Sequence, residues 1–239
     1  MVNSILAAGQ PDAAHDASSP AHHVPDGFSD QFALGFTKVL RWAADTFFAK
    51  RYGHRAIVLE TVAAVPGMVG ATLTHLKCLR RMVGDEGWIR TLMEEAENER
   101  MHLMTFVEIA KPTVFERWVI LLAQWIFYVA FFLLYLVSSR TAHRVVGYFE
   151  EEAVISYGFY LKEIDEGRSP NVPAPAIACH YWKMADTATL RDVILLVQAD
   201  EAHHRDVNHG FASQLAGKPH DPGQTAPYPP HADELAARA

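Results

Sequence analysis

The sequence predicts an all-α protein, a four-helix bundle with additional membrane-associating helices, and three observations predict it. Between Phe28 and Ala216 the apolar residues recur with a helical period, and no run alternates as a strand would. Hydrophobic residues make up 50% of the chain and charged ones 21%, a balance between that of a soluble protein and that of a membrane protein. Glu99 and His102, three residues apart, recur as Glu201 and His204 about a hundred residues later, so the same two-donor unit sits on two helices.

Six long helices and a short one follow in order. The first, about Ser29 to Tyr52, mixes Phe32, Phe36, Trp42, Phe47 and Phe48 with Lys38, Arg41, Lys50 and Arg51. That pattern suits a helix lying on an anionic membrane surface and equally a core helix with a solvated face. The second spans about His54 to Val83, with Pro66 removing one backbone donor, and the third runs from about Glu86 to Ala110 after an Asp85 cap. Thr113 and Glu116 form a capping-box pattern that opens a fourth helix, and its apolar stretch runs from Trp118 to Val137. The fifth, about Ala142 to Glu166, is closed by Gly167. Pro170, Pro173 and Pro175 mark a loop, a short helix covers about Ile177 to Met184, and the sixth long helix runs from about Thr187 to Leu215.

At 239 residues the chain suits one helical domain, residues 28–216, between polar, Pro-containing tails at 1–27 and 217–239 that are expected to be disordered. A net charge of -7 with no basic, aromatic stripe excludes nucleic acid as the expected partner. Cys78 and Cys179 are too few for a disulfide framework and read as buried thiols. No Lys or Arg precedes Lys38, so neither a secretory signal nor a transit peptide is expected at the start.

Two Glu-x-x-His units gain meaning from their complements. Di-iron bundles take one Glu from each of two helices and a Glu-x-x-His from each of two others. Glu60, set among Ile57, Val58, Leu59, Val62 and Val65, is costly as an isolated carboxylate, and Glu150 opens the run Glu150, Glu151, Glu152 on the fifth helix. Four carboxylates and two imidazoles suit a pair of iron or manganese ions rather than a lone zinc. His143, Glu150 and Tyr157 recur at seven-residue spacing along one stripe of the fifth helix. Tyr157 is thereby a candidate donor of a proton or an electron, and His143 a candidate outer partner of the metals.

Taken together, Leu59-Glu60-Thr61-Val62-Ala63 with Pro66-Gly67-Met68-Val69, then Glu97 to His102, Glu150 to Ala153 and Asp200 to His204, resemble the alternative oxidases over roughly Arg41 to Phe211. The resemblance implies a ferritin-like four-helix bundle with two iron ions held by Glu60, Glu99, His102, Glu150, Glu201 and His204, and Tyr157 as the redox-active tyrosine. It also implies that Asn98, His143, Asp200, Tyr181 and Trp182 surround the centre, and that Arg55, Leu59, Glu152, Ala153 and Ser156 form the quinol pocket. Phe149 and Ser156 depart from the leucine and threonine common in the family, so the pocket shape is expected to differ.

The implied reaction oxidises two ubiquinols and reduces dioxygen to water, insensitive to cyanide and without proton pumping. A homodimer on a lipid surface is expected, on the cytoplasmic face of a bacterial inner membrane, or on the matrix face of the mitochondrial one if the source is eukaryotic. The competing readings are a quinone-biosynthesis hydroxylase or plastid-type oxidase and, as a non-enzyme, ferritin-like iron storage. Trp118 to Val137 is long enough to span a bilayer, but a single span would divide the six ligands between two sides. The fourth helix is therefore expected to lie in one leaflet, with Trp118, Trp125, Phe131 and Phe132 among lipid-facing side chains and Lys111, Arg117, Arg140 and Arg144 near head groups.

Overall fold

The computed structural model describes residues 22–48 and 52–218, and most of both expected tails lies outside them. Among the described residues the chain forms α1 (Phe28–Phe48), α2 (Tyr52–Arg81), α3 (Trp88–Ala110), α4 (Val114–Val137), α5 (Ser139–Asp165), α6 (Ala176–Tyr181) and α7 (Leu190–Leu215). The fold is all-α.

The helix ends follow local chemistry. Thr113 accepts from the Glu116 amide while Glu116 accepts from the Thr113 amide, the reciprocal box that starts α4. Ser138 breaks α4 from α5 in extended conformation and accepts from the Thr141 amide at 3.2 Å. Thr189 and Asp192 box the start of α7. At α3 the helix begins after Gly87 in the left-handed region, and Asp85 Oδ2 accepts from the Ile89 amide at 2.9 Å. Gly167, at φ 71, supplies the left-handed turn that ends α5.

The bundle is two tightly packed pairs, α2 with α3 and α5 with α7. Each pair is drawn together at a glycine. A methyl group on Gly67 would stand 2.4 Å from the Leu92 carbonyl oxygen of α3, and one on Gly147 would stand 2.5 Å from the His209 ring of α7. Apolar clusters fill the bundle on either side of the centre. One joins Ile57, Phe106, Tyr157, Ile194 and Val197; another joins Val65, Val69, Phe131, Tyr135 and Val146.

α1 packs on α5, and α4 packs on α2 and α5. Both leave apolar faces uncovered: Phe28, Phe32, Val39 and Trp42 on α1, and Phe115, Trp118, Leu122, Trp125, Ile126, Val129 and Leu133 on α4. Phe149 of α5 sits between them, its ring 6.3 Å from Phe36 and 6.0 Å from Phe127. Gln124, the lone polar break in the apolar stretch of α4, donates to the Thr61 carbonyl of α2 at 3.3 Å and so points inward. Two residues expected to face the membrane do not. Phe131 is buried against Val69 and Tyr135, and Arg144 is wholly buried with its Nε 3.2 Å from Asp30 Oδ1. Cys78 and Cys179 are free thiols, half-buried rather than buried.

Candidate metal centre

Glu60 enters the centre from α2, Glu99 and His102 from α3, and Glu201 and His204 from α7. Three-residue spacing turns both members of each pair to the same helix face. One donor atom from each of Glu60, Glu99, His102 and Glu201 lies within 4.8 Å of the others, and all four residues are buried. His204 Nδ1 adds to the same cluster, 2.7 Å from Glu99 Oε1 and 3.4 Å from Glu201 Oε2.

The donors of this cluster are chemically suited to a cation. Glu60 Oε2, both Glu99 oxygens, Glu201 Oε2 and His102 Nδ1 are sealed from solvent without a well-aligned hydrogen bond. Unsatisfied buried carboxylates at such density are sustained when they coordinate metal. The residues therefore fit a metal centre. Burial, reinforced by the Glu201 and Glu99 charges, pushes the Glu60 carboxyl well above its usual range. Burial acts on Glu99 in the same direction, but the His102 and His204 imidazoles outweigh it and hold that carboxyl well below the usual range. Glu150 of α5 is buried beside this group without a hydrogen bond or ion pair to it; burial and then the Glu201 and Glu99 charges raise its carboxyl.

His102 is oriented from behind. Asp200 Oδ2 receives His102 Nε2 at 3.2 Å, Trp182 Nε1 at 3.0 Å and Asn98 Nδ2 at 3.0 Å, and Asn98 also donates to the Tyr181 hydroxyl at 3.1 Å. A carboxylate accepting at Nε2 puts a ring proton there and turns Nδ1 toward Glu60 and Glu201, at 3.3 and 3.4 Å. Burial disfavours a charged ring, but the Glu99 charge and the Asp200, Glu201 and Glu60 carboxyls outweigh it and raise the imidazole well above its ordinary value; a metal ion bound there would take the Nδ1 lone pair in place of the proton. The Trp182 ring stacks on His102 with centroids 5.7 Å apart.

Tyr157 donates its hydroxyl to Glu60 Oε1. Burial and the Glu60 charge raise its phenol well above the ordinary value, so it holds its proton as a donor. Beside it is a small cavity lined by Ala56, Leu59, Glu60, Ala153, Ser156, Tyr157 and Tyr160. Leu59, Ala153 and Ser156 of the expected pocket line it. Arg55 and Glu152 are not in that lining; Glu152 pairs with Arg41 of α1.

Residues 11–213 match the family pattern described as alternative oxidase. The chain belongs to the alternative oxidase family. It is 60% identical over 194 residues to ubiquinol oxidase 1a, mitochondrial, of Arabidopsis thaliana, covering 81% of this chain and 54% of that protein. Ubiquinol oxidase, mitochondrial, of Mangifera indica is 59% identical over 199 residues, covering 82% of this chain and 62% of the relative. Ubiquinol oxidase 2, mitochondrial, of Nicotiana tabacum is 59% identical over 194 residues, covering 81% and 65%. The chain thus spans between about half and two thirds of the length of these relatives. All three are mitochondrial by name, the alternative to the bacterial inner membrane among the locations expected from the sequence.

Two groups of residues in this alternative oxidase chain escaped sequence reasoning. His143, expected around the metals, hydrogen-bonds to Tyr135 and Asn208, and Asn208 to Glu95. Glu95 lies one helical turn before Glu99 and Asn208 one turn after His204, spacings that could have flagged both, whereas Tyr135 carries no such signal. The second group is at the bundle end, where Glu151 accepts from the His23 amide at 2.7 Å and meets His22 Nδ1 at 2.6 Å and His209 Nε2 at 3.0 Å. His22 and His23 belong to the stretch expected as tail, yet there they bind the side chain next to Glu150.

Proposed function

We propose that this chain is a membrane-surface quinol oxidase that reduces dioxygen to water at two iron ions held by Glu60, Glu99, His102, Glu150, Glu201 and His204. The observation that carries the reading is the buried cluster of donors, with His102 Nδ1 turned into it by the Asp200 contact at Nε2. When bound, the iron pair supplies one-electron redox chemistry and open coordination positions for dioxygen. The protein residues bind and orient. Asp200, fixed by Asn98 and Trp182, holds the proton on His102 Nε2 and keeps that ring aligned. Tyr157 holds a proton at its hydroxyl, one hydrogen bond from Glu60, where it can be passed to a reacting oxygen. Leu59, Ala153 and Ser156 give the neighbouring cavity a mostly apolar wall suited to a quinol ring, and Tyr157 and Glu60 both line it. Asn98, Tyr181, Trp182 and His143 are assigned to support and Arg55 and Glu152 to the rim of the quinol approach.

α2 and α4 are both long and apolar enough to cross a membrane, but 61% of the α2 window is buried in the bundle and only 11% of the α4 window. This contrast supports placing α4 against lipid and α2 within the bundle. With donors of the cluster on α2, α3 and α7, helices before and after α4, a single crossing by α4 is incompatible with one centre. We place α4, with the exposed face of α1, along one leaflet, and assign Lys111, Arg117 and Arg140 to the head-group level. A homodimer, and the cytoplasmic face of a bacterial inner membrane or the matrix face of a mitochondrial one, complete the reading. An uncovered apolar face of this extent is foreign to a soluble storage shell.

Oxygen uptake by the purified, iron-replete protein with a short-chain ubiquinol, with and without cyanide, tests the function. Cyanide-insensitive uptake is expected, and no uptake would overturn it. Topology is tested by Arg90→Cys and, separately, Lys162→Cys in a Cys78→Ser, Cys179→Ser background, labelled with an impermeant thiol reagent in oriented vesicles. Labelling from the same side is expected; labelling from opposite sides would mean that α4 crosses.

A further inference from the structure

Beyond the cluster a second buried polar chain crosses the bundle. Thr74 Oγ1 of α2 lies 3.4 Å from the Tyr135 hydroxyl of α4, which lies 3.1 Å from His143 Nε2 of α5. His143 Nδ1 lies 2.9 Å from Asn208 Oδ1 of α7. Asn208 Nδ2 in turn donates to Glu95 Oε2 of α3 at 2.9 Å and to the His204 carbonyl at 3.0 Å. Every helix that supplies a proposed ligand contributes a member, and α4 contributes one more. Glu95 is four residues before Glu99, Asn208 four after His204, and His143 seven before Glu150.

The direction of the chain follows from its end. Glu95 accepts, so the Asn208 amide group faces it and the Asn208 carbonyl faces His143. His143 then carries its proton on Nδ1 and accepts the Tyr135 hydroxyl at Nε2, while the Tyr135 oxygen is free to accept from Thr74. A neutral ring agrees with burial, which lowers His143 to about 4. Trp88, Tyr135 and Phe211 surround that ring at centroid distances of 5.6, 5.3 and 5.2 Å and keep water from competing. A side-chain amide does not pass a proton onward while it keeps its amide form. The chain is a strut and not a proton path.

We infer that Asn208 and Glu95 are positioning residues for the metal centre: they fix α7 against α3, and with them the two Glu-x-x-His units, while Tyr135 ties this lock to α4. The inference rests on the metal reading above. Outer partners of metal ligands typically contribute about 10- to 100-fold to metal affinity.

The test strips the full-length protein in detergent, reloads it with cobalt(II), and reads affinity by chelator competition and geometry from the visible ligand-field bands. Asn208→Leu and Glu95→Leu are expected to weaken cobalt binding by about 10- to 100-fold and to shift the bands. Glu95→Gln, whose carbonyl still accepts from Asn208, should stay within about 3-fold of the parent. Parent-like affinity and bands in both leucine variants would overturn the inference, as would a Glu95→Gln protein as weak as Glu95→Leu. If the leucine variants do not fold, Tyr135→Phe, which deletes one hydroxyl, decides: shifted bands support the strut and unchanged bands and affinity remove it. A parent protein that takes up no cobalt sinks the metal reading itself, and the strut falls with it.

Discussion

The interior of the bundle and the outer face of α4 invert the usual rule in opposite ways. Glu60, Glu95, Glu99, His102, Glu150, Glu201 and His204 are buried where a soluble bundle would place leucines, while Trp118, Trp125 and Ile126 are 69%, 65% and 63% exposed. Neither region is at its most stable as an isolated chain in water. Buried carboxylates and imidazoles suit metal ions and the α4 face suits an apolar surrounding, so each region favours a ligand of a different kind. They also differ in how they are built. The cluster is fixed by partners such as Asp200 and Tyr157 contributed from other helices. The face of α4 is specified by composition alone, with Gln124 turned inward as its one polar exception.

Removing a partner inside should therefore act on chemistry or folding far more sharply than removing one apolar side chain outside. The largest effect short of losing a ligand is expected from Tyr157→Phe. The ring and its packing against Phe106 are kept, and the hydroxyl donor to Glu60 is lost. Quinol oxidation should fall by roughly 100-fold or more with iron content near the parent value. Full turnover in that variant would return Tyr157 to a packing role.

Next is Gly67→Ala, because the added methyl meets the Leu92 carbonyl and Ala96 rather than a movable side chain. Separating α2 from α3 also separates Glu60 from Glu99 and His102. A loss of about 3 kcal/mol is expected, read as a lower melting temperature together with weaker iron retention. An unchanged melting temperature would show that the helix pair can relax without cost.

The smallest effect concerns pH. Burial depresses His209 to about 4 from 6.5. The unfolded chain takes up that proton first as pH falls, so this contribution is complete above pH 6.5 and is lost between 6.5 and 4. At about pH 5.5 the loss is about 1 kcal/mol. The melting temperature of His209→Gln should accordingly decline less steeply with acid than that of the parent, and parallel curves would contradict the assignment.

Much of this contrast was legible in the sequence because both regions repeat a local rule. The helix start at Thr113 and the stop at Gly167 are written within a few residues of the turns they make, and paired Glu-x-x-His units need only helical spacing. The apolar stretch of α4 announces its own exposure once α2 is committed to Glu60. What escaped the sequence depends on distant partners. Phe131 and Trp125 belong to the same stretch, yet only packing on Val69 and Tyr135 decides that Phe131 turns inward. Arg144 reads as a head-group cation until Asp30, 114 positions before it in the chain, appears beside it. Asn208 and Glu95 are 113 residues apart, and their helical spacing from His204 and Glu99 does not reveal that they meet each other. His22 and His23 lie in a stretch of tail-like composition, and their contact with Glu151 is a tertiary event.

Metal content against a single ligand tests the central claim most directly. The parent protein, expressed with iron and purified without chelators, is expected to carry two irons per chain, and Glu60→Ala should lose iron and all oxidase activity together while keeping its helical circular dichroism. Two irons per chain with normal oxygen uptake in Glu60→Ala would contradict the account.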